Sequence, residues 1–250
     1  MASLAAPITH ANQVLASLGS DLHVHLLPGI DDGARTVADG LTLLEKHYQS
    51  GIRSIVATPH VRADFFLNTQ ASIRAAWELI YPEAQRQWPD LRLTYAAEYF
   101  ADDYLMSLIE QEELLPLFDR YLLVETSMNR ESPYLSEIIR TLLDKGWKPV
   151  LAHPERYRPW HKRPDRYAEL HEMNVIFQVN LLSLAGVYGP AEKAMAEKLI
   201  HLGWVGAVGS DLHHPNQYHY IQKAVQNPFF QMLNDVPLLN HALLHTTRNE

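Results

Sequence analysis

Histidine, aspartate and glutamate recur at one kind of place in the sequence, at or just after short runs of apolar residues. Imidazole nitrogens and carboxylate oxygens are common ligands of divalent metal ions, so this placement indicates metal chemistry. Nine residues follow the pattern: His23, His25, Asp32, His60, Glu98, Glu125, His153, Asp211 and His213.

A buried cluster of these nine residues would be electrostatically unstable without cations. Neighbouring carboxylates repel one another and raise one another's pKa values when they share a desolvated pocket. Nine ligands also exceed what one tetrahedral or octahedral ion takes. The set therefore predicts two or three divalent ions that share bridging carboxylates.

Each signal has a second interpretation when it is taken alone. His23 and His25 lie on one strand face because side chains alternate with period two, and such a pair can be purely structural. The Asp31-Asp32-Gly33 segment is by itself more typical of a turn. His153 could hydrogen-bond to backbone at a strand end, and Glu98 or Glu125 could be half of an ion pair. Their recurrence at equivalent positions favours the metal centre.

Fourteen histidines are present, and most of the others are assigned no role: His47, His161, His171, His201, His241 and His245. Two histidines near the predicted site remain open: His214 and His219.

Seven apolar runs, which we predict to be strands, position the candidate ligands. They are DLHVH from Asp21, SIVATPH from Ser54, RLTYAAE from Arg92, YLLVE from Tyr121, PVLAH from Pro149, VIFQVN from Val175 and WVGAVGSD from Trp204. Continuous apolar runs between amphipathic stretches are typical of a parallel sheet buried on both faces.

The spacing of these runs favours a single-domain α/β fold, a (β/α)7 barrel, over an open doubly wound sheet. In such a barrel the carboxyl ends of the strands surround one mouth, where active sites are built. No repeat or linker supports a second domain, so we expect residues 1–20 to be an N-terminal extension and residues 21–250 to be the barrel.

Local signals predict where several helices begin. Thr36 with Asp39 three residues later has the form of a capping box, and Gly51 suits the end of that helix. Ser132-Pro133 has the form of an N-cap residue followed by proline at the first position of a helix, and Pro190 is predicted to begin another helix.

Composition excludes several classes of function. The chain of 250 residues has no cysteine, which excludes disulfide scaffolds, thiolate metal sites and cysteine nucleophiles. Its net charge of −8 disfavours nucleic acid and anionic membranes as partners. No apolar run approaches the roughly 18 residues of a membrane span. The amino terminus lacks the features of a signal peptide, so a cytoplasmic location is expected.

Seven motifs in order resemble one known family: DLHVHLLPGIDDGAR, ATPHVRADF, AAEYF, LLVETSM, PVLAHPERY, FQVN and GSDLHH. They resemble those of the polymerase-and-histidinol-phosphatase (PHP) superfamily, and most of all its bacterial protein-tyrosine phosphatases of the CpsB/YwqE type. The similarity covers about residues 20 to 230. The PGIDDGA and AHPERY elements are far more specific than the His-x-His pair.

The resemblance implies a distorted (β/α)7 barrel with a trinuclear site. Manganese is expected first, and iron, zinc, cobalt and magnesium are alternatives. Carried over by motif, the three ligand sets are His23, His25, Glu98 and Asp211; Glu98, Glu125 and His153; and Asp32, His60 and His213.

The resemblance also implies a phosphate contact from Arg156, the arginine of the AHPER motif. Some relatives have a further arginine after the Ser-Asp-x-His motif, where this chain has LHHPNQYHY. Arg62 and Arg35 are the available substitutes. Asp211 or a nearby histidine is the first candidate for a general acid.

The resulting hypothesis is phosphotyrosine hydrolysis by a metal-activated hydroxide. The expected partner is a phosphotyrosine protein, such as a bacterial tyrosine kinase of capsule or exopolysaccharide export. A small-molecule phosphatase of the histidinol-phosphate type and a non-catalytic, metal-holding kinase regulator are the alternatives. A nucleic-acid exonuclease is disfavoured because no basic stripe is present.

Overall fold

The computed structural model describes residues 15–245, so most of the predicted N-terminal extension lies outside the described residues. The strands are β1 (Ser20–Val24), β2 (Ser54–Ala57), β3 (His60–Val61), β4 (Arg92–Tyr95), β5 (Glu98–Phe100), β6 (Tyr121–Glu125), β7 (Lys148–Ala152), β8 (Ile176–Asn180) and β9 (Val205–Gly209). The helices are α1 (Val37–Gln49), α2 (Gln70–Gln87), α3 (Asp103–Gln111), α4 (Leu135–Asp144), α5 (Pro164–Glu172), α6 (Leu181–Leu184), α7 (Pro190–His201), α8 (Tyr218–Ala224), α9 (Pro228–Met232) and α10 (Leu239–His245).

Two of the seven predicted strands are each broken into two. The run from Ser54 forms β2 and β3, and the run from Arg92 forms β4 and β5. Pro59 interrupts the first of them because proline has no N–H to donate to the ladder. His60 and Glu98 therefore begin the second pieces instead of ending a continuous strand.

The strands are parallel and form two sheets, β1-β2-β4 and β3-β5-β6-β7-β8-β9. On one side, backbone hydrogen bonds continue across the breaks in the two divided strands. On the other side, the segment after β9 pairs with β1: Asp211 N donates to His23 O at 2.8 Å, and His25 N donates to Leu212 O at 3.0 Å. The sheets thus close into a distorted barrel, and the predicted single-domain α/β barrel is confirmed.

Apolar side chains fill the barrel interior below the mouth. They come from several strands and form one cluster with Leu243 of α10: Leu22, Val56, Ala96, Leu123, Val150, Ala152 and Ala207. Asn240, also on α10, is fully buried and donates to the backbone oxygens of Ser20 and Val208 at 3.0 and 2.9 Å. Helix α10 therefore ties β1 to β9.

The predicted helix starts are confirmed at two places and wrong at a third. Thr36 and Asp39 form the capping box of α1, and Pro190 begins α7. Ser132 does not cap α4, which begins at Leu135 with Tyr134 as its N-cap residue. The Ser132 hydroxyl instead accepts from the N–H of Tyr134 at 3.2 Å, before the helix, and donates to the carbonyl of Ala101 at 3.0 Å.

Across residues 15–245, none of the helices combines the length and the apolar character needed to cross a membrane.

Candidate metal centre

The structure brings all nine predicted ligands together at the mouth of the barrel. They form four overlapping groups in which the candidate ligand atoms lie within 4.8 Å of one another. The groups are His25, Asp32, His60 and His213; His23, Glu98 and His153; His23, His25 and Asp211; and His60, Glu98 and Glu125. They differ from the predicted partition: His60 joins Glu98 and Glu125, and His25 joins the group of Asp32. The overlap means that single side chains can serve neighbouring ions.

Strand register accounts for much of this convergence. His60 pairs with Glu98 in the parallel register of β3 and β5, so these side chains lie side by side. His23 lies within β1 and His25 directly after it, on the same face. Glu125 is the last residue of β6.

Two of the candidate ligands adopt the left-handed backbone conformation, which non-glycine residues rarely adopt. The φ angle is 34° at His153 and 53° at Asp211. Each of these residues follows the end of a strand, β7 or β9. Backbone strain of this kind persists only where the surrounding structure imposes it, and it clusters at functional sites.

The imidazoles of His23 and His25 face each other through their Nε2 atoms, which are 3.1 Å apart. Oδ1 of Asp211 lies 3.4 Å from Nε2 of His23 and 3.3 Å from Nε2 of His25. Two imidazole lone pairs repel each other unless a proton or a metal cation lies between them. The three atoms thus surround a position suited to a cation.

The other nitrogen of each ring is bound by a residue outside the predicted ligand set. Nδ1 of His23 is 2.7 Å from Oε1 of Gln178, and Nδ1 of His25 is 2.8 Å from Oδ2 of Asp31. Both oxygens accept a hydrogen bond, so each ring in its neutral form keeps its proton on Nδ1, and Nε2 is the nitrogen that can bind an ion in the cluster. Sequence reasoning missed Gln178, although one polar residue in the apolar run VIFQVN was a usable signal. It also interpreted Asp31 only as part of a turn.

The charges in the cluster are balanced by protons when no ion is bound. Burial raises the pKa of Glu98, but the imidazoles of His23 and His60 outweigh it and hold that pKa well below its usual range. Burial and the ring of His60 lower the pKa of His25, yet the carboxylates of Asp31 and Asp211 outweigh both and raise it to about 10. The protonated rings thus supply the positive charge that divalent ions would supply.

A buried contact in the cluster fits a shared ion. Oε2 of Glu98 lies 2.9 Å from Nδ1 of His60, yet neither atom has a hydrogen bond of acceptable geometry within the described residues. Leaving buried polar atoms unpaired is costly, and coordination would satisfy them. This mixed nitrogen and oxygen set suits manganese, iron and zinc.

The three candidate arginines lie in different environments. Nη1 of Arg156 donates to Oδ2 of Asp211 at 2.7 Å, and its guanidinium covers the ring of Tyr188. Arg62 makes a bidentate ion pair with Asp64. Arg35 is exposed and lines a cavity of about 620 Å³ beside the cluster. Arg156, through its pair with the candidate ligand Asp211, and Arg35, through the cavity, thus flank the site, whereas Arg62 pairs with Asp64, which lies outside the candidate ligand set.

Asp211 makes several interactions through Oδ2. Besides Arg156, the amide of Asn180 donates to it at 2.6 Å, and the hydroxyl of Tyr188 lies 3.5 Å away. These donors leave Oδ1 directed toward His23 and His25.

Three histidines outside the ligand set differ in surroundings. His47, which was assigned no role, is buried, and its Nε2 is 2.8 Å from Oδ2 of Asp21. His214 is exposed and lines the 620 Å³ cavity. His219 is exposed and bonds to the carbonyl of Asn216. Of these three, His214 therefore borders the site.

The fold and the cluster together define a TIM-barrel-like protein with a candidate metal centre at its mouth. Residues 19–229 match the model of the CpsB/CapC family, whose description is capsular polysaccharide synthesis. The chain therefore belongs to this family. The family resemblance predicted from the motifs is confirmed.

Individual relatives agree with this assignment. The tyrosine-protein phosphatase YwqE of Bacillus subtilis (strain 168) is 31% identical over 194 residues, which cover 77% of this chain and 76% of YwqE. The tyrosine-protein phosphatase CpsB of Streptococcus pneumoniae is 29% identical over 211 residues, 82% of this chain and 87% of CpsB.

A solved structure supports the same relationship. It comes from crystal structures of YwqE of Bacillus subtilis and CpsB of Streptococcus pneumoniae, described as metal-dependent tyrosine phosphatases. The structure aligns with a TM-score of 0.80 and 28% identity, and the match covers 92% of this chain and 95% of the other.

Proposed function

We propose that this protein is a metal-dependent phosphatase that removes phosphate from phosphotyrosine in proteins. The observation that carries the proposal is the convergence of nine imidazole and carboxylate side chains at the barrel mouth. The named activity of YwqE and CpsB supports the same conclusion.

We propose two or three divalent ions as the cofactor, with manganese as the first candidate. Divalent ions at such a site acidify water and stabilise the charge that develops on phosphoryl oxygens. The donor atoms would come from His23, His25, Asp32, His60, Glu98, Glu125, His153, Asp211 and His213.

Protein side chains would hold the substrate around this centre. Arg156 and Arg35, which flank the site, could contact phosphoryl oxygens and stabilise the charge of the transition state. Burial raises the pKa of Asp211, but His23 and the other neighbouring cations keep it well below its usual range. Asp211 therefore suits a ligand role better than that of a general acid. A tyrosine leaving group, with a pKa of about 10, needs less protonation than an alkyl alcohol.

The proposed biological partner is a tyrosine-phosphorylated protein of capsule or exopolysaccharide synthesis, such as a tyrosine kinase of polysaccharide export. The family's link to capsular polysaccharide synthesis supports this proposal. Because kinases use ATP, we propose that the two proteins meet in the cytoplasm.

The test is phosphate release from a phosphotyrosine peptide by protein purified without chelator, together with elemental analysis. We expect two or three ions per chain, loss of turnover with chelator and its return with manganese. His153→Ala and Glu98→Ala should lower turnover at least about a hundredfold if these side chains hold the ions. His201→Ala is the matched control, because His201 is exposed at the end of α7.

Other outcomes would replace the proposal. Bound metal with release only from histidinol phosphate would favour a small-molecule phosphatase. Tight peptide binding without release would favour a regulatory module. Wild-type turnover in His153→Ala would contradict the metal centre.

A further inference from the structure

The cavity beside the metal centre is strongly polar on most sides. Its volume is about 620 Å³, and its lining includes Asp32, Arg35, His213, His214 and Gln217. Such a volume is within the range of small-ligand sites and accommodates a phosphorylated aromatic side chain. A polar site of this kind explains recognition of the phosphate, but not preference for an aromatic ester.

One apolar residue interrupts this polar lining. Phe66 lines the same cavity, and its ring lies parallel to the ring of His60, with centroids 5.6 Å apart and an angle of 11°. His60 belongs to the candidate metal cluster. The Phe66 ring therefore lies beside a side chain of the candidate metal cluster and borders the cavity through which a substrate would reach that cluster.

The loop that carries Phe66 is held at several points. Phe66 and Arg62 exchange two backbone hydrogen bonds, of 3.0 and 3.2 Å. The amide of Asn68 donates to the carbonyls of His60 and Ile30 at 2.9 and 2.8 Å. These bonds join the loop both to β3 and to the segment before Asp31. The backbone that carries the aromatic ring is thus preorganised, which reduces the entropic cost of binding.

We infer that Phe66 is the specificity-determining residue for the aromatic ring of the substrate. The inference rests on the proposed phosphatase function and deepens it. With the phosphate at the metal centre, the tyrosine ring packs against Phe66 in an offset or edge-to-face arrangement. Aromatic pairs prefer these geometries and gain energy beyond the apolar area that they bury. An alkyl ester offers no such ring, so Phe66 selects aryl over alkyl phosphates.

The experiment uses two phosphonates, which bind like phosphate esters but are not hydrolysed. Calorimetry on the metal-loaded full chain gives Kd for phenylphosphonate and for methylphosphonate. We expect wild type to prefer phenylphosphonate, and Phe66→Leu to reduce that preference about three- to tenfold. Phe66→Tyr should restore the preference because it keeps the ring. Methylphosphonate should bind Phe66→Leu as it binds wild type.

Phe65→Leu is the matched control. Phe65 is adjacent in sequence and its ring centroid lies 6.4 Å from that of Phe66, but it is 72% exposed and does not line the cavity. This variant should keep the wild-type preference, with unchanged metal content.

Three results would overturn the inference. Equal Kd values for the two phosphonates in wild type would show that the ring is not recognised. An unchanged preference in Phe66→Leu would assign recognition to another residue. Weaker methylphosphonate binding in Phe66→Leu would show that Phe66 only supports His60. If neither phosphonate binds the metal-loaded wild type, the proposed phosphatase function fails as well, whereas the first three results leave it intact.

Discussion

At the residue scale, the orientation of each imidazole decides which of its nitrogens can bind a metal. Gln178 accepts from Nδ1 of His23, and Asp31 does the same for His25. Each acceptor fixes one tautomer, and the remaining lone pair faces the cluster. The ligand capacity of both histidines therefore depends on residues that do not belong to the cluster.

Gln178→Leu should weaken metal binding about 10- to 100-fold, the usual effect of losing such an acceptor. His23 would then be free to place its proton on either nitrogen. Elemental analysis and a metal titration measure the change, and circular dichroism checks that the barrel remains folded. Gln178→Glu is the control and should retain affinity, since it keeps an acceptor. Wild-type affinity in Gln178→Leu would contradict this role.

At the element scale, the Asp31-Asp32-Gly33 loop depends on a close approach to β1. A Cβ atom at Gly33 would meet the carbonyl oxygen and the Cβ of His25. The amide of Gly33 donates to Oδ1 of Asp31 at 2.9 Å, so loop and strand are packed as a unit. Any larger residue at Gly33 must push the loop, with both aspartates, away from the cluster.

We expect Gly33→Ala to lower metal affinity and turnover about tenfold or more while the barrel stays folded. Gly203→Ala is the control, because it adds a Cβ atom where no steric contact with the described residues results. Gly203 has a φ of +70°, but a Cβ atom added there would have no neighbour within 4 Å among the described residues, so strain is its main effect. That control should lose about 1 kcal/mol of stability, seen as a lower Tm, and keep its metal affinity. Equal metal affinity in the two variants would show that the loop is not held by this contact.

At the scale of the whole molecule, the barrel brings together charged side chains from several strands and loops. The cluster draws on side chains from β1, β3, β5 and β6 and from the segments after β1, β7 and β9. In the metal-free protein, burial opposes protonation of His23, but Glu98 and Asp211 outweigh it and raise its pKa. Burial and the ring of His60 oppose protonation of His25 as well, but the carboxylates of Asp31 and Asp211 raise its pKa to about 10. The carboxylates of Glu98 and Asp211, with lowered pKa values, are already ionised at neutral pH.

Metal binding near neutral pH should therefore expel protons from the imidazoles and not from the carboxylates. A raised imidazole pKa means that protons compete with metal up to that pKa, so apparent affinity should rise with pH from 6 toward about 10. The expected slope is roughly tenfold per pH unit for each proton released. Calorimetry in buffers of different ionisation enthalpy counts the protons. Affinity that falls or stays constant over this range would contradict the charge balance.

The sequence by itself determined the fold class and the composition of the site. Apolar runs of strand length, separated by amphipathic stretches, encode a parallel barrel through local periodicity alone. Because carboxyl ends of parallel strands share one mouth, residues such as Glu125 and His153 could be assigned to a common cluster without coordinates. The cap at Thr36 was also predictable, since its hydrogen bonds join residues three positions apart.

Only the tertiary structure decided how these parts fit together. Two examples are the acceptor role of Gln178 and the pairing of Arg156 with Asp211, which join residues far apart in the chain. The position of Phe66 over His60 likewise follows from how its loop is anchored. Local sequence specifies which side chains a segment carries and how its apolar residues are spaced. The contacts between side chains of different segments are set by backbone turns and by closure of the barrel, where many distant contacts act together.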